Sequence, residues 1–440
     1  MEGRQRLQLW HADQQIEIYS NGSGSGSKTK GDTSGLGKIL VWPDPPEEGD
    51  SNENCTYPPA KPNDDAKVIQ VALIDSGSNL ESDFNPQGHP SLPNLVWTNK
   101  GEPLPFDGLD SDANCIVDDR EGNDFLNDLN IVIDSVGHGT HIAGIIADGY
   151  PESINLEIIN LKVFTRDPTG KDRGGLFDLV CAIHHAINNG ADVINLSLGY
   201  KNAQYSDPLY RALKRAEKAG IVVIASAGNS GHDLDSPNFP IDSTQWPVRF
   251  TKPIQLADST LSRLTNMLVV AGVDSANVEA PNADLDLKQS NYGAESVDLA
   301  ARSVFKGPNY EGGEITFRGT SMAAGGLTRL VSILKALKPG LTPQTIIDTI
   351  TSTVQPVASA HLLKSGGRLR AAEVLKQFNI TEPTYKQAVD PPLDQQIGWP
   401  PNFMLKLGEG FEIELNFTDP SLYYENVRFR VYDGNTPNID

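Results

Sequence analysis

Residues 319–324 read Gly319-Thr320-Ser321-Met322-Ala323-Ala324, a short run in which a serine precedes helix-forming residues. Two earlier segments give this run its meaning. Val71-Ala72-Leu73-Ile74-Asp75 is an apolar strand pattern that ends in an aspartate, and Gly137-His138-Gly139-Thr140-His141 places a histidine at the start of a helix of small residues. An Asp, a His and a Ser in this chain order are the components of an Asp-His-Ser relay. The three segments together predict nucleophilic catalysis by Ser321.

The chemistry explains why each residue type is needed. A serine hydroxyl is a weak nucleophile at neutral pH, so a neutral imidazole must accept its proton and later deliver that proton to the leaving amine. Asp75 would hold the His138 ring in the required tautomer and stabilise its charged form. The backbone N–H of Ser321 would lie at a helix N-terminus, where the partial positive charge favours an oxyanion.

In this order and with these flanking residues, the segments resemble those of subtilisin-like serine proteases over about residues 66–350. The resemblance implies an α/β fold with a mostly parallel sheet flanked by helices. It assigns Asn229, on the turn after the run Val222–Ala225, to the oxyanion hole, and loss of that donor in subtilisin itself lowers turnover about 10²–10³-fold. It also implies a peptide-binding cleft whose walls and glycine strand are formed by Ser197, Leu198, Gly199, Ser226, Ala227, Gly228, Gly174 and Gly175.

The expected function is a serine endopeptidase that cleaves peptide or protein substrates through an acyl-enzyme. Two departures from the family pattern keep alternatives open. The serine segment continues with Gly325-Gly326, where the family usually has proline and a bulky residue, and a glycine costs a helix about 1 kcal/mol relative to alanine. Arg302 follows Leu299-Ala300-Ala301, where the family usually has a proline. The alternatives are a catalytically impaired protein of this fold that binds peptide or acts as a scaffold, and a peptide ligase or cyclase that uses the same acyl-enzyme.

An acidic segment before the histidine predicts a metal site. Residues 110–121 follow a calcium-loop template, with the candidate ligands Asp110, Asp112, Asn114, Asp118 and Glu121. Cys115 replaces the central glycine of the template, and no helix is evident before it, so a solvated acidic loop is the alternative to a structural Ca²⁺. Zinc at His138 and His141 is disfavoured because the chain has no HExxH motif and no cysteine near the pair. We assign His141 to structure and His184-His185 to the surface.

Composition excludes several classes of partner. The 440 residues carry a formal net charge of −21, which disfavours nucleic acid and anionic membranes because both require clustered Lys and Arg. No stretch approaches the roughly 18–20 apolar residues of a membrane span. The first residues lack the apolar region of a signal peptide, so we expect a soluble chain, and its native compartment, secretion included, stays open. Three cysteines do not form a disulfide framework, although Cys55 and Cys115 could pair.

The pattern of elements divides the chain into four parts. Residues 1–20 alternate apolar and polar side chains like a β-hairpin, and residues 21–37 have the Gly/Ser composition of a flexible linker. Strands and helices alternate over residues 38–382, which we interpret as the catalytic domain. Residues 383–440 suit a small antiparallel β module. Because few strands form a thin sheet on their own, the N-terminal hairpin is a candidate to complete it, and an ordinary N-terminal arm is the alternative.

Overall fold

The computed structural model describes residues 17–18 and 68–380 with short gaps in the second range. These gaps are residues 81–91, 93–94, 103–107, 113, 115, 152–153, 168–171, 202–205, 239–244, 257–260 and 274–282. The chain divides into two compact units, Met1–Gln387 and Ala388–Asp440, and the described residues all lie in the first. The predicted linker at 21–37, the predicted β module at 383–440 and the candidate Cys55–Cys115 pair lie outside the described residues.

A nine-stranded sheet organises the described residues. The strands of the described part are β1 (Glu17–Ile18), β2 (Val68–Asp75), β3 (Gly122–Asp124), β4 (Asn155–Lys162), β5 (Phe164–Arg166), β6 (Asp172–Gly174), β7 (Val193–Leu196), β8 (Leu198–Lys201), β9 (Val222–Ser226), β10 (Gln245–Trp246), β11 (Ile254–Gln255), β12 (Leu261–Ser262), β13 (Met267–Val273), β14 (Leu299–Arg302), β15 (Val304–Pro308), β16 (Glu314–Arg318), β17 (Gln355–Pro356) and β18 (Gly367–Arg368). The sheet has the order β17-β18-β14-β13-β9-β7-β2-β4-β3 and is parallel except for the β17–β18 pair.

Helices cover both faces of this sheet. They are α1 (His138–Ala147), α2 (Leu176–Asn188), α3 (Asp207–Lys218), α4 (Thr320–Leu337), α5 (Pro343–Ser352) and α6 (Ala371–Gln377). Successive residues of a strand point to opposite faces, so Ala72 and Ile74 pack with α2 and α3 while Val71 and Leu73 pack with α1 and α4. Burial on both faces is why β2 and its neighbours are mostly apolar. The predicted class, a mostly parallel sheet flanked by helices, is confirmed. Among the helices of the described residues, none combines the length and apolar character that a bilayer span requires.

One edge of the sheet collects the residues that the sequence analysis selected. The neighbouring strands β2, β7 and β9 run parallel, so their carboxyl ends lie together. Asp75 ends β2, Ser197 follows β7 and Ser226 ends β9. Helices α1 and α4 pack against each other and begin near this edge at His138 and Thr320. The carboxyl edge of a parallel sheet is the usual location of a functional site in α/β proteins.

The N-terminal segment pairs with the first unit. Strand β1 is antiparallel to β8, with Glu17 opposite Gly199 and Ile18 opposite Leu198. The grouping of residues 1–20 with residues 383–440 stays a prediction, because residues 383–440 lie outside the described part of the chain. Backbone pairing depends little on side chains, so the segment can pair with β8, whose other edge is taken by β10. The other residues of the predicted hairpin lie outside the described part of the chain.

Candidate active site

Asp75 and His138 form a buried hydrogen-bonded pair. The Asp75 Oδ1 and His138 Nδ1 atoms are 2.7 Å apart, and the two residues are 0% and 1% exposed. The backbone N–H of Ser76 also donates to Asp75 Oδ1, at 2.7 Å, and fixes the carboxylate. A Cβ on Gly139 would lie 2.0 Å from the Gly77 carbonyl oxygen, so only glycine lets α1 approach β2 closely enough for this pair.

Ser321 is the second residue of α4 and lies at the same edge. Its hydroxyl donates to the Ser197 carbonyl oxygen at 3.2 Å. His138 Nε2 is buried and has no hydrogen-bond partner among the described residues. The Asp–His half of the predicted relay is therefore formed in this structure. No hydrogen bond joins the Ser321 hydroxyl to His138 Nε2 in this structure.

Asn229 lies on the turn after β9 and is held by the residue before the serine. Its Oδ1 atom accepts hydrogen bonds from the backbone N–H and the hydroxyl of Thr320, both at 2.9 Å. The Gly228 backbone N–H donates to the Thr320 hydroxyl at 3.1 Å, so the turn and the start of α4 are joined by direct bonds.

The predicted cleft residues lie on the strands β6, β8 and β9, on the connections next to β8 and β9, and at the start of α2. Ser197 links β7 to β8, and its hydroxyl donates to Asn195 Oδ1 at 2.9 Å and to the Ser321 carbonyl at 3.2 Å. Leu198 and Gly199 begin β8, Ser226 ends β9, and Ala227 and Gly228 continue into the turn. Gly174 ends β6, and Gly175 is the N-cap of α2. An extended segment already pairs with Leu198 and Gly199 in this structure, because β1 lies there.

The geometry can be compared with known proteins. The sequence model described as the subtilase family matches residues 66–399.

The chain belongs to the subtilase family.

Individual relatives are distant. Subtilisin-like protease 1 of Plasmodium berghei is 26% identical over 330 residues, which is 72% of this chain and 51% of the relative. Subtilisin BL of Lederbergia lenta is 26% identical over 306 residues, which is 68% of this chain and 87% of the relative. The chain thus spans about half the length of the Plasmodium relative. A crystal structure of a lanthipeptide protease superimposes with a TM-score of 0.51 at 20% identity and covers 71% of this chain and 88% of that one, which shows a shared fold.

An acidic group lies in the loops of this subtilase before His138. Ligand oxygens of Glu102, Asp112 and Asp119 lie within 4.8 Å of one another. The amides of Asn99 and Asn114 each donate to both aspartates, at 2.8–3.1 Å. Burial and the neighbouring carboxylates raise the pKa of Glu102 and of Asp112. Burial also acts to raise the pKa of Asp119, but hydrogen bonds from His185 and the amides outweigh it and the pKa is lowered.

This group differs from the predicted ligand set. Asp112 belongs to both, and Asn114 lies beside the group. Asp110, Asp118 and Glu121 are not among its members; Asp110 instead accepts the Asn114 N–H, and Asp118 accepts the Gly108 N–H. Sequence reasoning missed Glu102 because it precedes the template, and Asp119 because the template skips that position.

His141 and His185 are both buried in the fold. His141 is buried against Phe317, with ring centroids 4.6 Å apart, and burial lowers its pKa to about 4. His185 was assigned to the surface, and this is wrong: the residue is 1% exposed, and its Nε2 lies 2.6 Å from Asp119 Oδ2. The helical period of α2 turns His185 toward the acidic loops, a contact that the helix pattern alone does not specify.

Proposed function

We propose that this subtilase is a serine endopeptidase in which Ser321 is the nucleophile, His138 the general base and Asp75 the residue that orients His138. The observation that carries the proposal is the buried 2.7 Å Asp75–His138 pair at the sheet edge where α4 begins with Thr320 and Ser321. Buried carboxylate–imidazole pairs of this kind fix the tautomer that leaves Nε2 free to accept a proton.

The proposed reaction proceeds in two steps. After the Ser321 side chain turns toward His138, Nε2 accepts the hydroxyl proton while Oγ bonds to the carbonyl carbon of the substrate. His138 returns the proton to the leaving amine as the C–N bond breaks, which leaves an ester on Ser321. A water molecule then attacks the ester, again with His138 as the base, and releases the acid. The Ser321 backbone N–H and the Asn229 Nδ2 group would stabilise the negative oxygen in both steps.

The proposed substrate is an extended peptide. Its backbone would add beside β8 at Ser197, Leu198 and Gly199, which form one wall of the cleft. The second wall would be Ser226, Ala227 and Gly228. Gly174 and Gly175 would lie on the opposite side of the peptide. The pairing of β1 with Leu198 and Gly199 supports this role for β8, because it demonstrates an edge open to an antiparallel partner.

The continuity of helix α4 favours an active protease over a catalytically impaired protein of the same fold. Helix α4 runs without a break from Thr320 to Leu337, so Gly325 and Gly326 do not unwind the element that carries Ser321. A ligase or cyclase would use the same residues and would differ in the nucleophile that accepts the acyl group.

Labelling with a fluorophosphonate followed by intact-mass analysis tests the proposal. We expect one adduct on Ser321, none after Ser321→Ala, and products with free carboxyl termini when a peptide substrate is supplied with an excess of an amine. Absence of an adduct in folded protein, or an adduct on another serine, would refute the assignment of Ser321. Amide-linked products instead of acids would identify a ligase.

We further propose that Glu102, Asp112 and Asp119 hold a structural Ca²⁺. The fit rests on Glu102, which is 0% exposed and whose Oε2 atom is buried without a hydrogen-bond partner among the described residues. Buried carboxylates that face one another repel, and a hard divalent cation with oxygen ligands removes this repulsion. A bound ion would fix the loops between β2 and α1 and so stabilise the folded state.

A further inference from the structure

Asp134 lies four residues before His138 and is not a member of the proposed relay. The residue is 2% exposed, and five donors surround its carboxylate. Its Oδ1 atom accepts from the Ser76 hydroxyl at 2.9 Å and from the backbone N–H groups of Val136 and Gly137 at 2.8 and 2.9 Å. Its Oδ2 atom accepts from the Thr140 N–H at 2.9 Å and the Thr140 hydroxyl at 2.7 Å.

These bonds anchor the helix that begins with His138. The N-cap of α1 is Gly137, which has no side chain to accept hydrogen bonds from the first turn. The first N–H groups of a helix need acceptors from elsewhere, and a carboxylate at this end is favourable for the helix dipole. Asp134 supplies that acceptor from the preceding loop. It thereby sets the position of the first turn and of the imidazole it carries.

The same carboxylate is linked to the other half of the pair. Ser76 donates its hydroxyl to Asp134 and its backbone N–H to Asp75, and its hydroxyl oxygen accepts the Gly139 N–H at 3.0 Å. Asp134 is therefore linked to Asp75 by two hydrogen bonds through Ser76. It is linked to His138 through its bonds to Gly137 and Thr140 in the first turn of α1. Catalytic geometry must be held to about 0.5 Å, so an anchor shared by both residues has a direct consequence for the rate.

The carboxylate of Asp134 accepts hydrogen bonds on both oxygen atoms. Burial raises the pKa of Asp134, and hydrogen bonds from Thr140, Val136 and Gly137 act in the opposite direction. All five partners point hydrogens at the carboxylate, an arrangement that suits the ionised form.

We propose that Asp134 is a positioning residue for the Asp75–His138 pair, which it aligns through Ser76 and through the first turn of α1. This inference rests on the proposed proteolytic function.

The test compares Asp134→Asn with Asp128→Asn, the same change at an exposed aspartate of the same loop. The rate of peptide hydrolysis is divided by the concentration of active sites that a fluorophosphonate titrates, so that misfolded molecules do not lower the measured kcat. For Asp134→Asn we expect kcat per titrated site to fall about 10–100-fold, the usual cost of losing an orienting partner. We expect KM to stay within about threefold, because the hydrogen bonds of Asp134 in the described part of the chain go to Ser76, Asn79, Val136, Gly137 and Thr140 and not to cleft residues. Asp128→Asn should match the wild type.

A second variant keeps the test decisive if Asp134→Asn does not fold. Ser76→Ala removes the hydroxyl that joins Asp134 to Ser76 and to the Gly139 N–H but keeps the backbone bond to Asp75, and we expect kcat per titrated site to fall several-fold with KM unchanged. If either folded variant shows unchanged kcat per titrated site, with only a lower melting temperature, Asp134 is merely structural and the inference is overturned. If the wild type itself is not labelled, the proposed proteolytic function fails instead.

Discussion

At the scale of single residues, Asp178 is a carboxyl group with a raised pKa beside the proposed peptide-binding cleft. This half-buried carboxylate accepts the backbone N–H of Gly175 at 3.1 Å, at the start of α2 and beside the glycine strand. Burial is the main cause that raises its pKa from 3.8 to about 6, and the charge of Asp124 adds to the effect. At neutral pH the chain therefore carries an ionised group that the folded state disfavours.

Replacing Asp178 with Asn should stabilise the protein at neutral pH. Because the pKa of folded Asp178 lies above that of an unfolded aspartate, the wild-type side chain contributes its full stability below about pH 4 and loses it as the pH rises toward 6. The amide oxygen of Asn can still accept the Gly175 N–H. We expect the Asn variant to exceed the wild type by roughly 1–3 kcal/mol at pH 7.5 and to match it near pH 4. Urea unfolding at both values, in a Ser321→Ala background that prevents self-digestion, measures the difference; a difference independent of pH would contradict the assignment.

At the scale of elements, the glycine pair in α4 decides how two helices meet. A Cβ on Gly325 would lie 3.2 Å from Ile145 Cγ2 and 3.4 Å from Ile142 Cγ2, both on α1. A Cβ on Gly326 would approach only the Phe305 ring, at 3.3 Å from Cζ. The departure from the family's usual proline thus coincides with the contact between the helix that carries Ser321 and the helix that carries His138.

Alanine at these two positions should have opposite effects. Gly326→Ala should raise stability by about 0.5–1 kcal/mol, because alanine is the better helix former and the ring of Phe305 can tilt. Gly325→Ala should lower stability and slow phosphonate labelling, because the new methyl group pushes α1 and His138 away. Thermal unfolding and the rate of phosphonate labelling are measured for both variants, and each variant is the control for the other. Equal effects at both positions would show that helix propensity alone matters.

The pairing of β1 with β8 has a consequence for activity. Strand β8 lies between β1 and β10, so a peptide that adds to β8 must displace β1. We expect Glu17→Pro, which removes a backbone donor, to lower KM for a peptide substrate several-fold and to leave the melting temperature unchanged. Gln8→Pro is the matched control. If residues 1–20 instead complete the C-terminal β module, as the sequence suggests, their deletion should lower the melting temperature and solubility without a change in KM.

At the scale of the whole molecule, the acidic group should couple stability to calcium. A ligand that binds only the folded state stabilises it by RT ln(1 + [L]/Kd), which is about 2.7 kcal/mol at a hundredfold excess over Kd. Chelation with EDTA should therefore lower the melting temperature, and added Ca²⁺ should restore it. An unchanged curve would indicate a solvated acidic loop.

Single substitutions distinguish the acidic group of Glu102, Asp112 and Asp119 from the ligand set that the calcium-loop template predicts. Asp112→Asn and Glu102→Gln should abolish the calcium response, whereas Asp110→Asn should retain it. Without calcium, Glu102→Gln should be more stable than the wild type, because it removes a buried carboxyl group whose Oε2 has no partner in the described part of the chain. Loss of the response in Asp110→Asn, with Glu102→Gln unaffected, would favour the template.

The sequence by itself predicted the sheet-and-helix class and the residues proposed for the relay. Asp75, His138, Ser321 and Asn229 each lie at the end of a strand or the start of a helix with its own local pattern, and parallel strands bring such ends together. Tertiary structure alone decided the rest. Glu102 meets Asp119, Ser76 reaches Asp134 and His185 turns inward only once loops distant in sequence pack against α1 and α2. Local patterns specify elements, because their hydrogen bonds and apolar periods are short-range. The choice of partners between loops depends on packing and burial, which no local pattern contains.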